Sequence, residues 1–260
     1  MGDLIYTGNT SLDGYTVDAD GNFDWTTPDN EVFRYITDLE ARVGTYLYGR
    51  RMYETMAVWD GPEFDDPGEI VGAGGQVVPV EPSALRRFAK VWRGADKVVF
   101  SRTLVPEAIS TPRTRLVSNF DAESVRTMKA ESNQPVSVGG PALAAAAIRS
   151  GLVDQLHRFV FPVVIGGGTP FLPTGVLLDL ELLDEHRFAS GVVHLHYRVL
   201  NGASAAATGA VPDAAKAPAL AQAAAPAPGK RPAAAPAPRK SPAPTPSPSA
   251  TPTSERAESS

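Results

Sequence analysis

Val136-Ser137-Val138-Gly139-Gly140-Pro141 is the stretch from which the architecture is read. Its first half is a brief apolar run suited to a strand. The glycine pair lets the backbone turn, and Pro141 arrives with φ preset for the first turn of a helix. Ala142–Arg149 then reads as an Ala-rich helix, with Gly151 placed as its C-terminal cap. Leu156–Phe161 follows as another strand. A strand, a turn, a helix and a second strand make the repeating unit of a parallel sheet.

Working outward, the same alternation recurs. Leu4–Gly8 reads as the first strand. Helix signals begin at Thr27-Pro28-Asp29, with Val32, Phe33, Ile36, Leu39 and Val43 at helical spacing and Gly44 just past the end. Thr45–Tyr48 and Lys97–Phe100 are strands, Ser83–Trp92 and Asp121–Glu131 are helices, and Asp60–Glu81 is a long loop rich in Gly, Pro and acids. Val192–Val199 is the last clear strand, after the Val163-Val164-Ile165 run and a turn at Gly166-Gly167-Gly168. The expected fold is an α/β sandwich, with a central mixed, mostly parallel sheet flanked by helices, over residues 1–201.

Composition marks where that domain stops. From Gly202 onward there is no Phe, Tyr or Trp, and more than half of the positions are Ala or Pro. Such a segment cannot bury enough apolar surface to offset the entropy of ordering it, so 202–260 reads as a disordered tail. Six of the 24 basic and three of the 29 acidic residues lie in the tail, which leaves 18 and 26, a net of −8, for residues 1–201. An acidic domain argues against a nucleic-acid partner. With no cysteine there are no disulfides and no thiolate chemistry, which fits a reducing compartment. No apolar run is long enough to span a bilayer, and the N-terminus lacks a signal-peptide pattern, so a cytoplasmic protein with no membrane partner is expected.

Three strand ends share one design: Gly49-Arg50-Arg51, Ser101-Arg102-Thr103 and Gly139-Gly140-Pro141. In open α/β sheets ligands settle beyond the carboxyl ends of strands, where helix N-termini aim free N–H groups outward. Glycines allow close approach to a pyrophosphate, and Arg50, Arg51 and Arg102 supply planar donors for phosphate oxygens. Taken one at a time, each glycine pair could merely turn the chain and each arginine be a solvated charge. Three such ends together point to a phosphorylated dinucleotide, NADPH in preference to NADH. Other dinucleotide patterns fail: Gly72-Ala73-Gly74 lacks the third glycine at its spacing, and Gly166-Gly167-Gly168-Thr169 has no following Lys.

His194 and His196 alternate along the last strand like metal ligands. Val193, Leu195, Tyr197 and Val199 form the opposite, apolar row, so the histidines read as the solvent face and no metal is expected. No Gly-x-Ser-x-Gly elbow points to a hydrolase.

These segments, in this order, resemble the dihydrofolate-reductase-like family, and within it the reductase domain of the bacterial bifunctional riboflavin-biosynthesis deaminase-reductase. Gly49-Arg50-Arg51-Met52-Tyr53-Glu54 is similar to the family's Gly-Arg-x-Thr-aromatic-Glu segment, which lies against the NADPH phosphates. Val98–Leu104 resembles the strand end that holds the adenosine 2′-phosphate, and Val138–Pro141 the segment whose Gly-Gly bond is cis. Ser11-Leu12-Asp13-Gly14, and Asp154-Gln155-Leu156 leading to Gly166-Gly167-Gly168, are closer to the riboflavin type. The resemblance covers Leu4–Leu200. It implies a dihydrofolate-reductase-like sandwich and cofactor contacts at Gly49, Arg50, Arg51, Met52, Ser101, Arg102, Thr103, Gly139, Gly140 and Pro141. It also implies a substrate pocket lined by Asp13, Trp25, Asp29 and Phe33, and a homodimer. Met52 replaces the family's Thr, so only backbone contact survives there. Asn30 falls where dihydrofolate reductases keep a carboxylate, and Asp29, one residue early, reads equally as a helix cap. The expected reaction is reduction of a phosphoribosylamino-pyrimidine by NADPH. Pterin reduction and a non-catalytic NADPH-binding protein are the alternatives. The zinc signature of the deaminase partner domain is absent, so deamination is not expected, and no proton donor can be named.

Overall fold

A computed structural model describes residues 1–67 and 80–200 of the chain. The expected tail at 202–260 and most of the Asp60–Glu81 loop lie outside the described residues. In chain order the elements are β1 (Leu4–Thr10), β2 (Tyr15–Val17), α1 (Asn30–Glu40), β3 (Thr45–Gly49), α2 (Arg50–Met56), α3 (Pro82–Gly94), β4 (Asp96–Phe100), β5 (Thr114–Val117), α4 (Ala122–Glu131), β6 (Val136–Gly139), α5 (Pro141–Arg149), β7 (Gln155–Val160), β8 (Thr169–Pro170), β9 (Leu180–Arg187) and β10 (Val193–Val199).

Eight strands form one sheet in the order β5-β4-β3-β6-β1-β7-β10-β9, and β2 with β8 makes a small ribbon. The first six run parallel, while β10 is antiparallel to both β7 and β9. The mixed, mostly parallel sheet is the one the sequence predicts. Helices α4 and α5 cover one face, where Val125, Ala144, Ala147 and Ile148 meet Leu4, Tyr6, Leu47, Val98, Val136 and Val138. On the other face Phe88, Ala89 and Trp92 of α3, with Phe33 of α1, pack on Tyr46, Tyr48 and Val99. All four residues of β6 are buried, as a central parallel strand covered on both sides requires.

Local signals explain most boundaries. Gly151, at φ +64°, closes α5 in a Schellman turn: its N–H donates to Ile148 O, and that of Leu152 to Ala147 O. Asp29 and Asp121 cap α1 and α4 by accepting from Val32 N and Ser124 N. Gly44 is not the cap of α1, which ends at Glu40. It is small because Gln134 lies against it: a Cβ there would sit 2.8 Å from Gln134 Oε1. Strands β5 and β9 are absent from the sequence reading. Leu180–Arg187 has no β-branched or aromatic residue, and pairing along β10 makes it a strand. The apolar run Val163–Ile165 between β7 and β10 lies in a loop.

Under α1 the core is polar. Glu40 is 7% exposed, and among the described residues neither its Oε2 nor the hydroxyl of Tyr46 has a hydrogen-bond partner. Burial lifts the Glu40 carboxyl to about 7, tempered by the nearby Tyr46 and Thr7 hydroxyls. A carboxyl whose folded pKa is raised favours the fold fully below about 4.5 and loses that contribution as pH climbs through 7. Removing the charge in Glu40→Gln should therefore help the protein more at pH 8 than at pH 5. The gap between variant and wild type should widen by up to about 3 kcal/mol, read from urea unfolding at the two pH values. A gap independent of pH would contradict this account of Glu40.

Candidate functional site

Parallel register brings the three glycine and arginine segments together. Gly49 pairs with Phe100, and Tyr48 with Gly139, so β4, β3 and β6 end side by side on one edge of the sheet. Neighbouring strands lie ~4.8 Å apart, which places Gly49, Ser101 and Gly139–Gly140 along one shelf. Helices α2 and α5 start from this shelf at Gly49 and Gly140. Neither has a side-chain acceptor at its N-cap, in contrast to α1 and α4. Their first N–H groups are therefore left for solvent or a ligand.

The glycines differ in what demands them. Gly140 has φ +89°, which favours glycine on its own account. At Gly139 a Cβ would lie 2.6 Å from Cε1 of Tyr48, so the buried tyrosine ring needs the space. The peptide between them is trans, not the cis bond the resemblance implies, and the positive φ of Gly140 makes the turn. Gly49 is another matter. Its φ of −79° and ψ of 166° suit any residue, and a Cβ there would meet no atom of the described residues within 4 Å. Among the described residues nothing requires glycine at 49. A cradle that one methyl group would fill fits a ligand approaching the backbone closely.

Charge gathers on the same edge. Arg50, Arg51 and Arg102 are exposed. Arg50 lies 3.8 Å from Glu54, while Arg51 and Arg102 form no ion pair among the described residues. Ser101 Oγ accepts from Thr103 N at 3.2 Å and Leu104 N at 2.9 Å, fixing the turn after β4 and leaving its own proton to donate. Met52 packs over the glycine turn, its Cγ 3.2 Å from where a Gly139 Cβ would be. Pro141 opens α5 at its first position.

The expected substrate residues gather less well. Asp13 accepts from Ile165 N at 3.3 Å and Gly166 N at 2.8 Å, so it pins the loop after β7 to the loop after β1. Hydrogen bonding from Ser11, then from those amides, holds its carboxyl below the usual range. Asp29 caps α1, with Val32 N donating to its Oδ1 at 2.9 Å. Trp25 is partly buried against Val32, Phe159 and Phe188, and its indole N–H has no partner among the described residues. Phe33 does not offer a face to a flat heterocycle. It is 8% exposed and packs on Phe88 and Trp59, with ring centroids 5.5 and 6.1 Å away. Helical spacing aimed it correctly off the solvent side, but α3 fills that place.

The histidine face is inverted relative to the sequence reading. His194 is 1% exposed, beneath Tyr35 of α1. Its Nε2 lies 3.1 Å from His157 Nδ1 and its Nδ1 3.2 Å from the Tyr35 hydroxyl. Burial first, and neighbouring histidines second, push His157 down to about 3 and His194 to about 4, so both are neutral at pH 7. Among the described residues no cluster of His, Cys, Asp or Glu is arranged to hold a metal. Sequence reasoning also missed Arg158, half-buried, which donates from Nε to Thr10 Oγ1 at 2.9 Å and steadies the end of β1. An arginine on a central strand was the available signal.

Two surface recesses lie elsewhere, one between α1 and α3 and one at the amino ends of β3 and β4. Neither includes the glycines or arginines of the strand-end shelf.

Residues 3–194 match the family model described as the RibD C-terminal domain. The chain is similar to the uncharacterized protein YyaP of Bacillus subtilis, 28% identical over 191 residues, covering 72% of this chain and 89% of that protein. It is also similar to the riboflavin biosynthesis protein RibD of Mycobacterium tuberculosis, 27% identical over 163 residues. That match takes in 61% of this chain and only 41% of RibD. Among solved structures, a putative riboflavin biosynthesis protein from Shewanella sp. PV-4 superposes with a TM-score of 0.56 at 20% identity, over 76% of this chain and 98% of that one. RibD of Acinetobacter baumannii gives 0.53 at 14%, over 76% and 58%. These two share the fold. No helix among the described residues is long and apolar enough to cross a membrane.

The glycine comparison is directly testable. Gly49→Ala should change unfolding free energy by no more than about 0.5 kcal/mol, the range of an unhindered surface site. Gly139→Ala, which must displace the Tyr48 ring, should cost about 1–3 kcal/mol. Equal destabilisation by both in urea titrations would show that the space at Gly49 is not free.

Proposed function

Because the chain belongs to the RibD C-terminal domain family, we propose that it is an NADPH-dependent reductase of the riboflavin-biosynthesis type. Its substrate would be a heterocyclic or ribose-derived small molecule, with a phosphoribosylamino-pyrimidine the first choice, and its compartment the cytoplasm. The observation that carries the reading is the alignment of Gly49, Ser101 and Gly139 on one edge, with Gly49 open to a ligand.

Each residue then has a physical task. The uncapped first turns of α2 and α5 offer N–H groups to phosphate oxygens, and Gly49 and Gly140 keep side chains out of the way. Arg51 and Arg102, with no carboxylate partner among the described residues, supply positive charge for a 2′-phosphate, and Arg50 joins them when it leaves Glu54. Ser101 and Thr103 add hydroxyl donors, and Met52 contributes backbone alone. The nicotinamide, when bound, supplies the hydride. Asp13 acts on the substrate side by holding the Gly166 loop in place, and Trp25 keeps an indole N–H for a polar group that reaches it. Asp29 sets the start of the helix that walls this side. By fixing donor and acceptor near one another the protein removes the entropy of their encounter.

Fluorescence titration should show NADPH binding more tightly than NADH. A charge-assisted contact contributes about 1.5–3 kcal/mol, so Arg102→Ala should lower NADPH affinity at least about tenfold and leave NADH unchanged. Gly49→Ala should also weaken NADPH binding. Equal affinity for the two nucleotides in the wild type would remove the arginines from this role. Steady-state NADPH oxidation against ribosylated pyrimidines and pterins then identifies the acceptor.

A further inference from the structure

Tyr53 carries a hydroxyl that burial of its ring does not explain. Of the seven residues of α2 it alone is buried, with its ring in the cluster that holds Tyr48, Phe88 and Val99. A phenylalanine would fill that place, and a buried hydroxyl is costly unless it is bonded. Its partners lie in one segment, the crossover from β4 to β5. The hydroxyl oxygen is 3.1 Å from Ser110 N and 3.2 Å from Thr111 Oγ1. Thr111, itself buried, lies 2.7 Å from Thr114 Oγ1, which is 3.2 Å from Pro112 O. The direction of every proton in this row follows from its end. Pro112 O can only accept, so Thr114 commits its proton there. Thr111 must then donate to Thr114 and Tyr53 to Thr111, which leaves the Tyr53 oxygen to accept from Ser110 N–H.

The segment fastened in this way, 101–113, carries Arg102 near its start. There Ser101 N donates to Val117 O at 2.9 Å, and Ser101 Oγ closes the turn. Leu104 and Ile109 pack partly against the same cluster as Tyr53, while Arg102 and Thr103 are exposed. Tyr53 thus ties the far end of the Arg102 segment to the helix that begins with Arg50 and Arg51. Arginines on two separate elements meet one phosphate at little entropic cost only if those elements are already held together. We propose that Tyr53 is a positioning residue for the 2′-phosphate: its hydroxyl holds the Arg102 segment against α2 and sets the preference for NADPH without touching the nucleotide. The proposal rests on the dinucleotide reading of the strand-end shelf and adds to it a residue that lies behind the shelf.

Fluorescence titrations of the full chain with NADPH and with NADH test it. Tyr53→Phe keeps the ring and removes the hydroxyl. It should weaken NADPH binding about three- to tenfold, the range of one hydrogen bond, and leave NADH binding unchanged. Thr111→Val, which breaks the row from the segment's side, should do the same. Thr111→Ser, which keeps the hydroxyl, should retain the wild-type preference. In an Arg102→Ala background Tyr53→Phe should have no further effect on NADPH, because the positioned group is gone. Hydrogen exchange at the Ser110 amide should quicken in Tyr53→Phe. Losses that fall equally on both nucleotides, or that add to the loss in Arg102→Ala, overturn the proposal and leave the reductase reading standing. An unchanged Ser110 exchange rate does the same. A wild type that binds both nucleotides equally overturns the dinucleotide reading and the proposal with it.

Discussion

Everything at the strand-end shelf depends on parallel register. Three segments separated by 52 and 38 residues in the chain meet because Gly49 pairs with Phe100 and Tyr48 with Gly139. Parallel pairing needs a crossover between strands, and here α3 and α4 lie in those crossovers. The same topology sends each helix away from the edge with its N-terminus at the strand end. An anion-facing row of N–H groups is thus a consequence of connectivity before any side chain is chosen. Side chains then refine it: glycine at the uncapped starts of α2 and α5, and three arginines, of which Arg51 and Arg102 have no carboxylate partner among the described residues.

The polar layer beneath α1 shows a different economy of forces. Glu40, Tyr46 and Tyr48 on one side, and Tyr35, His194 and His157 on the other, occupy ground that aliphatic residues could fill. The His157–His194 contact can hold one shared proton, and both rings resist a second because charge is costly in that setting. Below about pH 6.5 the unfolded chain gains protons that these buried rings refuse, so they weaken the fold as pH falls. Glu40 acts in the opposite direction. The layer therefore favours a fold that is most stable near neutrality.

What could be read from the sequence followed from local rules. Glycine and proline at the ends of α5, the periodic apolar residues of α1 and the apolar runs of the parallel strands all act within a few residues, and each was legible. What could not be read depends on neighbours distant in sequence. Leu180–Arg187 carries no strand propensity of its own and becomes β9 only by pairing with β10. The histidines of β10 look solvated in a linear reading because nothing local announces that α1 lies over them. Phe33 had the right helical face for a pocket, yet α3 had already filled it. For the site, the glycines and arginines were visible as motifs. Their unequal reasons were not: Gly139 serves Tyr48, whereas Gly49 serves nothing among the described residues.

The central claim is that one phosphorylated dinucleotide touches all three strand ends at once. Backbone amide chemical shifts recorded during an NADPH titration test it most directly. The account predicts that Gly49, Arg51, Ser101, Gly140 and Ala142 shift together along a single saturation curve. Shifts confined to one strand end, or centred on the recess between α1 and α3, would contradict it.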